Sequence, residues 1–478
     1  MDLLEKIVSL SKRRGFIFPS SDVYGGLGAT YDYGPLGVEL KRNVTERWWR
    51  EMVYRHDNIE GLDAAILMHP TVWKASGHVD AFHDPMIDDK ASKRRYRADE
   101  LIERHIGKLE ASGKEKQAGE LRTRFVAALH SDDMPKELHR IILDEEIRGP
   151  DSGAFDWTEV RQFNLMFETH AGAVVDDETK IYLRPETAQG IFVNFRLAQE
   201  TARQQVPFGI AQIGKAFRNE IVARRFIFRM REFEQMEMQY FVRPGTQMEY
   251  FEEWRAKRMQ WHIDNGIRPE HLRWHEHEKL AHYADAAFDV QYAFPMGWQE
   301  IEGIHSRTDF DLKRHQEFSG KKMEYFDPHR KEKYIPYVVE TSAGLDRTIL
   351  MLLCEAYEEE RVEDEERIVM KFHPEVAPVK AAVFPLVKRD GMPETAQALA
   401  ADLRGHFNAF YDDSGSIGKR YRRMDEAGTP FCITVDGETM ETGTVTIRDR
   451  DSMIQERIPK NNAADYLKDR MRSWSRST

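Results

Sequence analysis

Cysteine is nearly missing from this sequence, with two in 478 residues. A cysteine-based zinc site needs three or four thiolates or histidine partners at short spacing, and neither cysteine offers that. Cys354 sits in the apolar run ILMLLCEAY and Cys432 in FCITV, so both read as core residues. Long apolar runs are missing too. None approaches the ~18–20 residues a membrane-spanning helix needs, so no membrane partner is expected. The opening MDLLEKIVSLSKRRGF reads as a short amphipathic helix without the apolar core and small-residue cleavage site of a signal peptide. A cytoplasmic location is the expectation. There is no internal repeat, no low-complexity tract, no Walker glycine loop and no GxGxxG after a strand, which excludes P-loop and Rossmann nucleotide sites. With 70 Lys and Arg against 82 Asp and Glu the net charge is −12, which argues against a polyanion coater. A local basic face remains at residues 91–122, with nine Lys/Arg against six Asp/Glu.

What is present is a soluble globular composition: 41% hydrophobic, 32% charged, with 26 Phe, 17 Tyr and 9 Trp for cores. The length suits about two to four domains. Leu36, Leu40, Val44, Trp48 and Met52 recur every fourth residue and predict a helix over 36–55, begun by Pro35. An extended stretch follows to Pro70. Residues 95–148 are charged and helix-favouring, and read as a helical surface insertion. Strands are expected at 180–184, 207–217, 233–242 and 286–304, which suggests an antiparallel sheet with helices packed on it. Pro374 and Pro378 mark a boundary. Beyond it strands at 379–386, 431–435 and 444–448 alternate with helices at 395–410, 416–428 and 462–471, the pattern of a separate α/β domain.

The chemistry concentrates in FRNEIVARRFIFRMREFEQMEMQYFV, residues 217–242. Period-2 alternation puts Met236, Met238, Tyr240 and Val242 on one face and Phe233, Gln235, Glu237, Gln239 and Phe241 on the other. The second face has the composition of a floor for a polar ligand. Arg218, Arg229 and Arg231 flank it with planar forks suited to phosphate or carboxylate. In Trp298-Gln-Glu-Ile-Glu-Gly303 the same alternation puts Glu300 and Glu302 on one face, where oxygen ligands for Mg²⁺ are expected. Glu340-Thr-Ser-Ala-Gly-Leu-Asp-Arg347 runs into an apolar helix, a small-residue entry that allows close approach of an anion.

Together these segments resemble the three motifs of the class II aminoacyl-tRNA synthetases. Motif 1 resembles the helix 36–55 with the strand that follows, motif 2 resembles Phe217–Phe241, and motif 3 resembles Gly344-Leu-Asp-Arg347. YDYGPLGVELKRN, WTEVRQFNLMF, RPETAQGIF, REFEQMEMQYFV and RTDFDL resemble the dimeric, glycine-specific branch of that family. The motif 2 loop departs from the common Pro-Arg, reading Ala223-Arg224-Arg225.

The resemblance implies an α+β fold: an antiparallel-sheet catalytic domain at 1–372, with a helical insertion at about 90–155, and an α/β anticodon-binding domain at 373–478. It implies a ligase that joins glycine, through glycyl-adenylate, to the 3′ end of its tRNA. ATP and Mg²⁺ are implied and no zinc is expected. A homodimer built on motif 1 is implied as well. Catalysis is expected from Arg218, Glu300 and Arg347, with Mg²⁺ on Glu300. ATP contacts are implied at Arg218, Asn219 and Glu220, at Phe228, Arg229, Met230, Arg231, Glu232 and Phe233, at Glu300 and Ile301, and at Gly344, Leu345, Asp346 and Arg347. Glycine contacts are implied at Arg97 and Glu186, at Phe233, Glu234, Gln235, Met236 and Glu237, at Arg307, and at Glu340, Thr341, Ser342, Ala343 and Gly344. The basic run Lys419-Arg-Tyr-Arg-Arg423 suits either RNA or a solvated helix face.

Overall fold

The computed structural model describes all residues except Met1, Asp132, 174–175, 177–178, 221–224, 278–279, 281–283, 363–364 and 476–478. The chain divides into two compact units. The first holds residues 1–65, 186–216 and 226–478, the second 66–185 and 217–225.

The first unit is organised by a seven-stranded sheet. Its strands are β1 (Ile59–Gly61), β2 (Phe208–Phe217), β3 (Glu232–Val242), β4 (Leu272–Glu276), β5 (Ala286–Phe294), β6 (Gly297–Thr308) and β7 (Tyr337–Gly344). The spatial order is β4-β5-β6-β7-β3-β2-β1. The pairs from β4 to β3 are antiparallel, and β1 lies parallel to β2. One long strand was expected over 286–304. The chain instead forms the hairpin β5–β6, turned at Pro295-Met296, with Gly297 at φ +98. Only glycine adopts that conformation without strain.

The helices around this sheet follow from their apolar spacing. The N-terminal helix α1 (Leu3–Arg14) starts with a capping box between Asp2 and Glu5. Helix α2 (Pro35–Trp49) buries Leu40, Val44 and Trp48 completely or nearly so. Each such side chain is worth ~1.5–3 kcal/mol. The helix predicted to Arg55 ends at Trp49 and continues as a wider turn over Arg50–Tyr54. Gly37 is required at its start, because an added Cβ would lie 1.8 Å from the carbonyl oxygen of Phe16.

Met236, Met238 and Val242 of β3 pack into the main core with residues of two further helices, α4 (Gln247–Asp264) and α6 (Leu345–Ala356). On the opposite face, Phe241 packs against Phe195 of α3 (Ala188–Ala202), ring centroids 4.5 Å apart, and against Phe208 at 5.3 Å. Leu312 of α5 (Phe310–Ser319) joins that second core. The predicted alternation of β3 is therefore what forms, but Phe241 belongs to a core rather than to a ligand floor.

Between Ala381 and Met471 a further core forms, while Val376 and Ala377 belong to the main core. Strand Ala381–Pro385 lies between Ala409–Tyr411 and Phe431–Val435, parallel to both. Thr444–Asp449 and then Gln455–Pro459 extend the sheet antiparallel. The helix expected to reach Phe410 stops at Arg404, before Gly405, and Ala409–Tyr411 becomes the edge strand. The basic run at 419–423 is largely turned inward. Arg420 is buried and donates to Pro385 O, Tyr421 hydrogen-bonds Thr434, and Arg423 pairs with Asp412.

The second unit contains the helices Ala98–Ala111, Glu115–Leu129 and Met134–Asp144, packed through Leu101, Ile106, Leu121, Phe125, Leu138 and Ile142. They accompany a three-stranded antiparallel sheet with His83–Asp89 between Arg94–Arg97 and Arg161–Asn164. Both cysteines are buried and free, as the apolar runs around them predict. Among the described residues no helix is long and apolar enough to cross a membrane.

Candidate active site

The strand register lays out the polar face of the central sheet. Glu237 pairs with Ser342, which pairs with Gly303, which pairs with Asp289, which pairs with His275. The next row runs Gln239, Glu340, His305, Ala287. Directly opposed residues share a face, so one surface collects side chains from five strands.

Glu237 is buried at its centre. Ser342 Oγ donates to its Oε1 at 2.6 Å and the Thr187 hydroxyl donates to its Oε2. Thr187 N in turn donates to Gln235 Oε1 at 3.2 Å. Glu340 lies one row on. It accepts from Gln239 Nε2 at 2.7 Å, from His305 Nδ1 at 2.8 Å and from Arg307 Nη1 at 3.1 Å. Arg307 is itself held by Asp311 through two hydrogen bonds of 2.9 and 3.1 Å. Gln189 closes the ring, donating to Asp311 at 3.1 Å and to Glu186 at 2.9 Å.

The two central carboxyls titrate in opposite directions. Burial, then the nearby charges of Glu340 and Glu186, push Glu237 up to about 8, and the two hydroxyl donors only partly offset this. Burial alone would raise Glu340 as well. Arg307 and His305 overcome that and hold it well below the ordinary carboxylate range. One guanidinium thus serves Glu340 and Asp311 while Glu237 and Glu186 add acid beside it. Carboxyl groups dominate this part of the face.

Beside this pocket Arg347 lies over the Phe228 ring at 4.4 Å. Its Nε donates to Phe228 O, and its Nη1 donates to Glu300 Oε2 at 3.1 Å. Three of the expected ATP contacts, at 228, 300 and 347, therefore meet. Glu300 and Glu302 do not share a face as alternation predicts. The register slips between Val290 and Gln291, so Gln291 opposes Glu300 while Val290 opposes Glu302. Glu302 turns to the core side and pairs with Arg258 at 2.6 Å and His262 at 2.8 Å.

Other expected contacts fall on the core side of the sheet. Met236 and Ala343 are fully buried there, as are Leu345 and, nearly so, Ile301 and Met230. Thr341 is also fully buried. Glu234 pairs with Lys41, and its backbone N–H donates to the buried Asp346, which also accepts from Tyr33. Glu232 pairs with Lys215. These groups, with Phe233, line a separate polar cavity of about 270 Å³. Arg231 is tied to the turn at Leu27, Gly28 and Ala29, donating from its side chain to Gly28 O and from its backbone to Ala29 O. Arg229 is half-buried. Gly344 sits opposite Gln235.

Arg97, Arg218, Asn219 and Glu220 belong to the second unit. Arg97 pairs with Asp84 at 3.0 Å, with Asp99 and with Glu100. Arg218 Nε donates to Pro185 O at 3.1 Å, and its guanidinium lies 5.4 Å from the Phe82 ring. Asn219 N donates to Leu165 O. Ala223 and Arg224 of the loop lie outside the described residues. Sequence reasoning missed Thr187, Gln189, His305 and Asp311. Only Asp311 carried a local signal, its spacing of four from Arg307 on entering a helix.

Comparison with known proteins agrees with this layout. Residues 167–356 match the class II core domain of tRNA synthetases for G, H, P, S and T. Residues 84–118 and 112–165 match glycyl-tRNA synthetase insertion domain 1, and residues 380–470 match an anticodon binding domain. Among similar proteins, a glycine–tRNA ligase of Chlorobaculum tepidum is 60% identical over 465 residues, 97% of this chain and 99% of that protein. One of Treponema denticola is 50% identical, covering 99% and 98%. One of Staphylococcus haemolyticus is 51% identical, covering 98% and 99%.

Proposed function

Because the chain belongs to the glycine–tRNA ligase family of class II aminoacyl-tRNA synthetases, we infer that it activates glycine with ATP and transfers it to the 3′ end of its tRNA. A glycine carboxylate oxygen attacks the α-phosphorus and pyrophosphate leaves. A terminal ribose hydroxyl then attacks the glycyl carbonyl carbon and AMP leaves. No side chain need act as a covalent nucleophile.

The observation that carries the amino-acid choice is the buried carboxylate face. Glu237, Glu340 and Glu186 receive the substrate ammonium, and Ser342 adds a hydrogen-bonding group. Arg307, held by Glu340 and Asp311, is assigned to the glycine end with Arg97. A methyl group added to the substrate in a packed site costs roughly 1–3 kcal/mol, so alanine is excluded sterically and no editing step is required.

For ATP we assign adenine stacking to Phe233 and Arg347, reading of its amino group to Glu220, and the triphosphate to Arg229 or Arg231. Arg218 bridges the α-phosphate and the glycine carboxylate. The exposed carboxylate of Glu300 is a hard oxygen donor and fits Mg²⁺, which would supply charge neutralisation on the phosphates. Arg97 is assigned to the glycine end, as the resemblance implies. We further assign the catalytic domain to residues 1–372, with its insertion at about 90–155, and the anticodon-binding domain to 373–478. The working form is a cytoplasmic homodimer joined through motif 1.

ATP–pyrophosphate exchange across the twenty amino acids tests the reading. Glycine alone should support it, and equal exchange with alanine or serine would end the assignment. Arg218→Ala should lower glycine-dependent exchange ~10²–10³-fold in a folded protein, the cost of losing a preorganised donor.

A further inference from the structure

The polar face continues beyond the glycine pocket onto the outer strands, where three side chains converge that the proposed reaction leaves unused. Asp289 of β5 lies directly across from Gly303 of β6. The space a side chain at 303 would fill is taken by the ring of His305, two residues on. A Cβ at Gly303 would be 2.8 Å from its Cε1 and 3.2 Å from its Nε2. The glycine thus draws His305 back toward Asp289. His277 follows β4, tied by its backbone N–H to Ala287 O at 3.1 Å, and its ring lies 5.8 Å from that of His305. One donor atom from each of the three lies within 4.8 Å of the others.

Two further observations point to a cation. His305 spends its Nδ1 on Glu340 Oε1 at 2.8 Å. That bond orients the ring and, in the neutral imidazole, leaves Nε2 as the lone-pair donor, the carboxylate–histidine arrangement that orients metal-ligating imidazoles. His277 Nε2 lies 2.8 Å from Asp289 Oδ2, so these two donor atoms already stand together as an ion pair. An imidazole nitrogen and a carboxylate oxygen held together in this way can take a metal ion in place of the proton they share.

We propose that His277, Asp289 and His305 form a binding site for one divalent cation of the zinc class. Two imidazoles and one carboxylate are a donor set for zinc, with the fourth position left to water. Ligands on a tetrahedral ion with ~2.0 Å bonds stand about 3.3 Å apart, which small torsions of the two histidines reach. The site is distinct from the cysteine-based zinc excluded by composition, and from the Mg²⁺ assigned to Glu300. Through His305 it would brace Glu340, so it positions a pocket residue without touching substrate.

The test reads binding, not aminoacylation, so its failure is separate from failure of the glycine assignment. The full chain is stripped with a chelator and titrated with Zn²⁺ by calorimetry and with Co²⁺ by visible absorption. About one ion per chain is expected, with a four- or five-coordinate cobalt spectrum. His277→Ala, His305→Ala and the near-isosteric Asp289→Asn should each weaken binding at least about tenfold, while circular dichroism shows the variants folded. Absence of saturable binding, or binding by all three variants equal to the parent, would overturn the proposal.

Discussion

The two faces of the central sheet each bury an ionic cluster, and the clusters are built on opposite principles. On the core side, Glu302 is completely buried with one guanidinium, Arg258, and one imidazole, His262. Burial lowers the His262 pKa, and despite burial Arg258 and His262 hold Glu302 down to about 2. Acid and base balance, and both carboxylate oxygens of Glu302 find their donors within the protein. On the other side Glu186, Glu237, Glu340 and Asp311 gather round one guanidinium, Arg307, and one imidazole, His305. There burial, and then the charges of Glu340 and Glu186, push Glu237 up. A balanced buried pair is structural. A buried set dominated by carboxyls is, on the function proposed above, the receptor for the substrate ammonium.

The largest effect should come from breaking the balanced side. Arg258→Ala leaves Glu302 buried without its guanidinium, which typically costs ~3–5 kcal/mol. Urea unfolding should show that loss. Arg258→Met combined with Glu302→Leu should recover most of it, because an apolar replacement of a buried pair is often near neutral. A fully stable Arg258→Ala variant would mean that the two clusters do not differ as argued.

The same kind of change on the receptor side should touch binding more than folding. Glu340→Gln removes one charged partner of the substrate ammonium but leaves Arg307 its two bonds to Asp311. Hydrogen bonds to charged groups are worth ~1.5–3 kcal/mol, so the glycine KM should rise roughly ten- to a hundredfold. The KM for ATP should stay near that of the parent, measured by pyrophosphate exchange. A loss of stability as large as that of Arg258→Ala, with unchanged glycine KM, would place Glu340 with Glu302 as a structural group.

Most of this layout was legible in the sequence, and the misses have physical causes. The alternation of β3 put Gln235, Glu237 and Gln239 on one face because strand geometry has a fixed period of two. The same rule failed at Glu302, since a single extra residue in β6 reverses every side chain after it, and no residue type announces the slip. The 286–304 hairpin was readable in principle from Pro295 and Gly297. Thr187, His305 and Gln189 were not, because each acts through partners distant in sequence: 50 residues for Thr187–Glu237, 35 for His305–Glu340 and 122 for Gln189–Asp311. His277, Asp289 and His305 could not be grouped from the sequence either, because the pairing of neighbouring strands brings them together.

The smallest effect, and the sharpest on the comparison, is in pH. Glu237 holds its proton in the empty pocket up to about pH 8. The substrate ammonium favours the carboxylate form, so binding releases that proton whenever the pH is below this value. Proton release makes affinity rise with pH. The glycine dissociation constant should fall by up to about tenfold per unit between about pH 6 and 8 from the Glu237 proton and level off above, with His305, whose pKa is raised by its bond to Glu340, titrating beside it. Glu302, already ionised across that range, contributes nothing to the slope. In Glu237→Gln the slope should flatten while weaker binding remains. Calorimetry in two buffers of different ionisation enthalpy reads the released proton directly: nearly one per glycine at about pH 6.5 in the parent and fewer in the variant. A parent that binds glycine without releasing a proton would show that Glu237 keeps one protonation state throughout and does not supply the counter-charge to the ammonium on binding. The contrast between the two faces of the sheet would then fall.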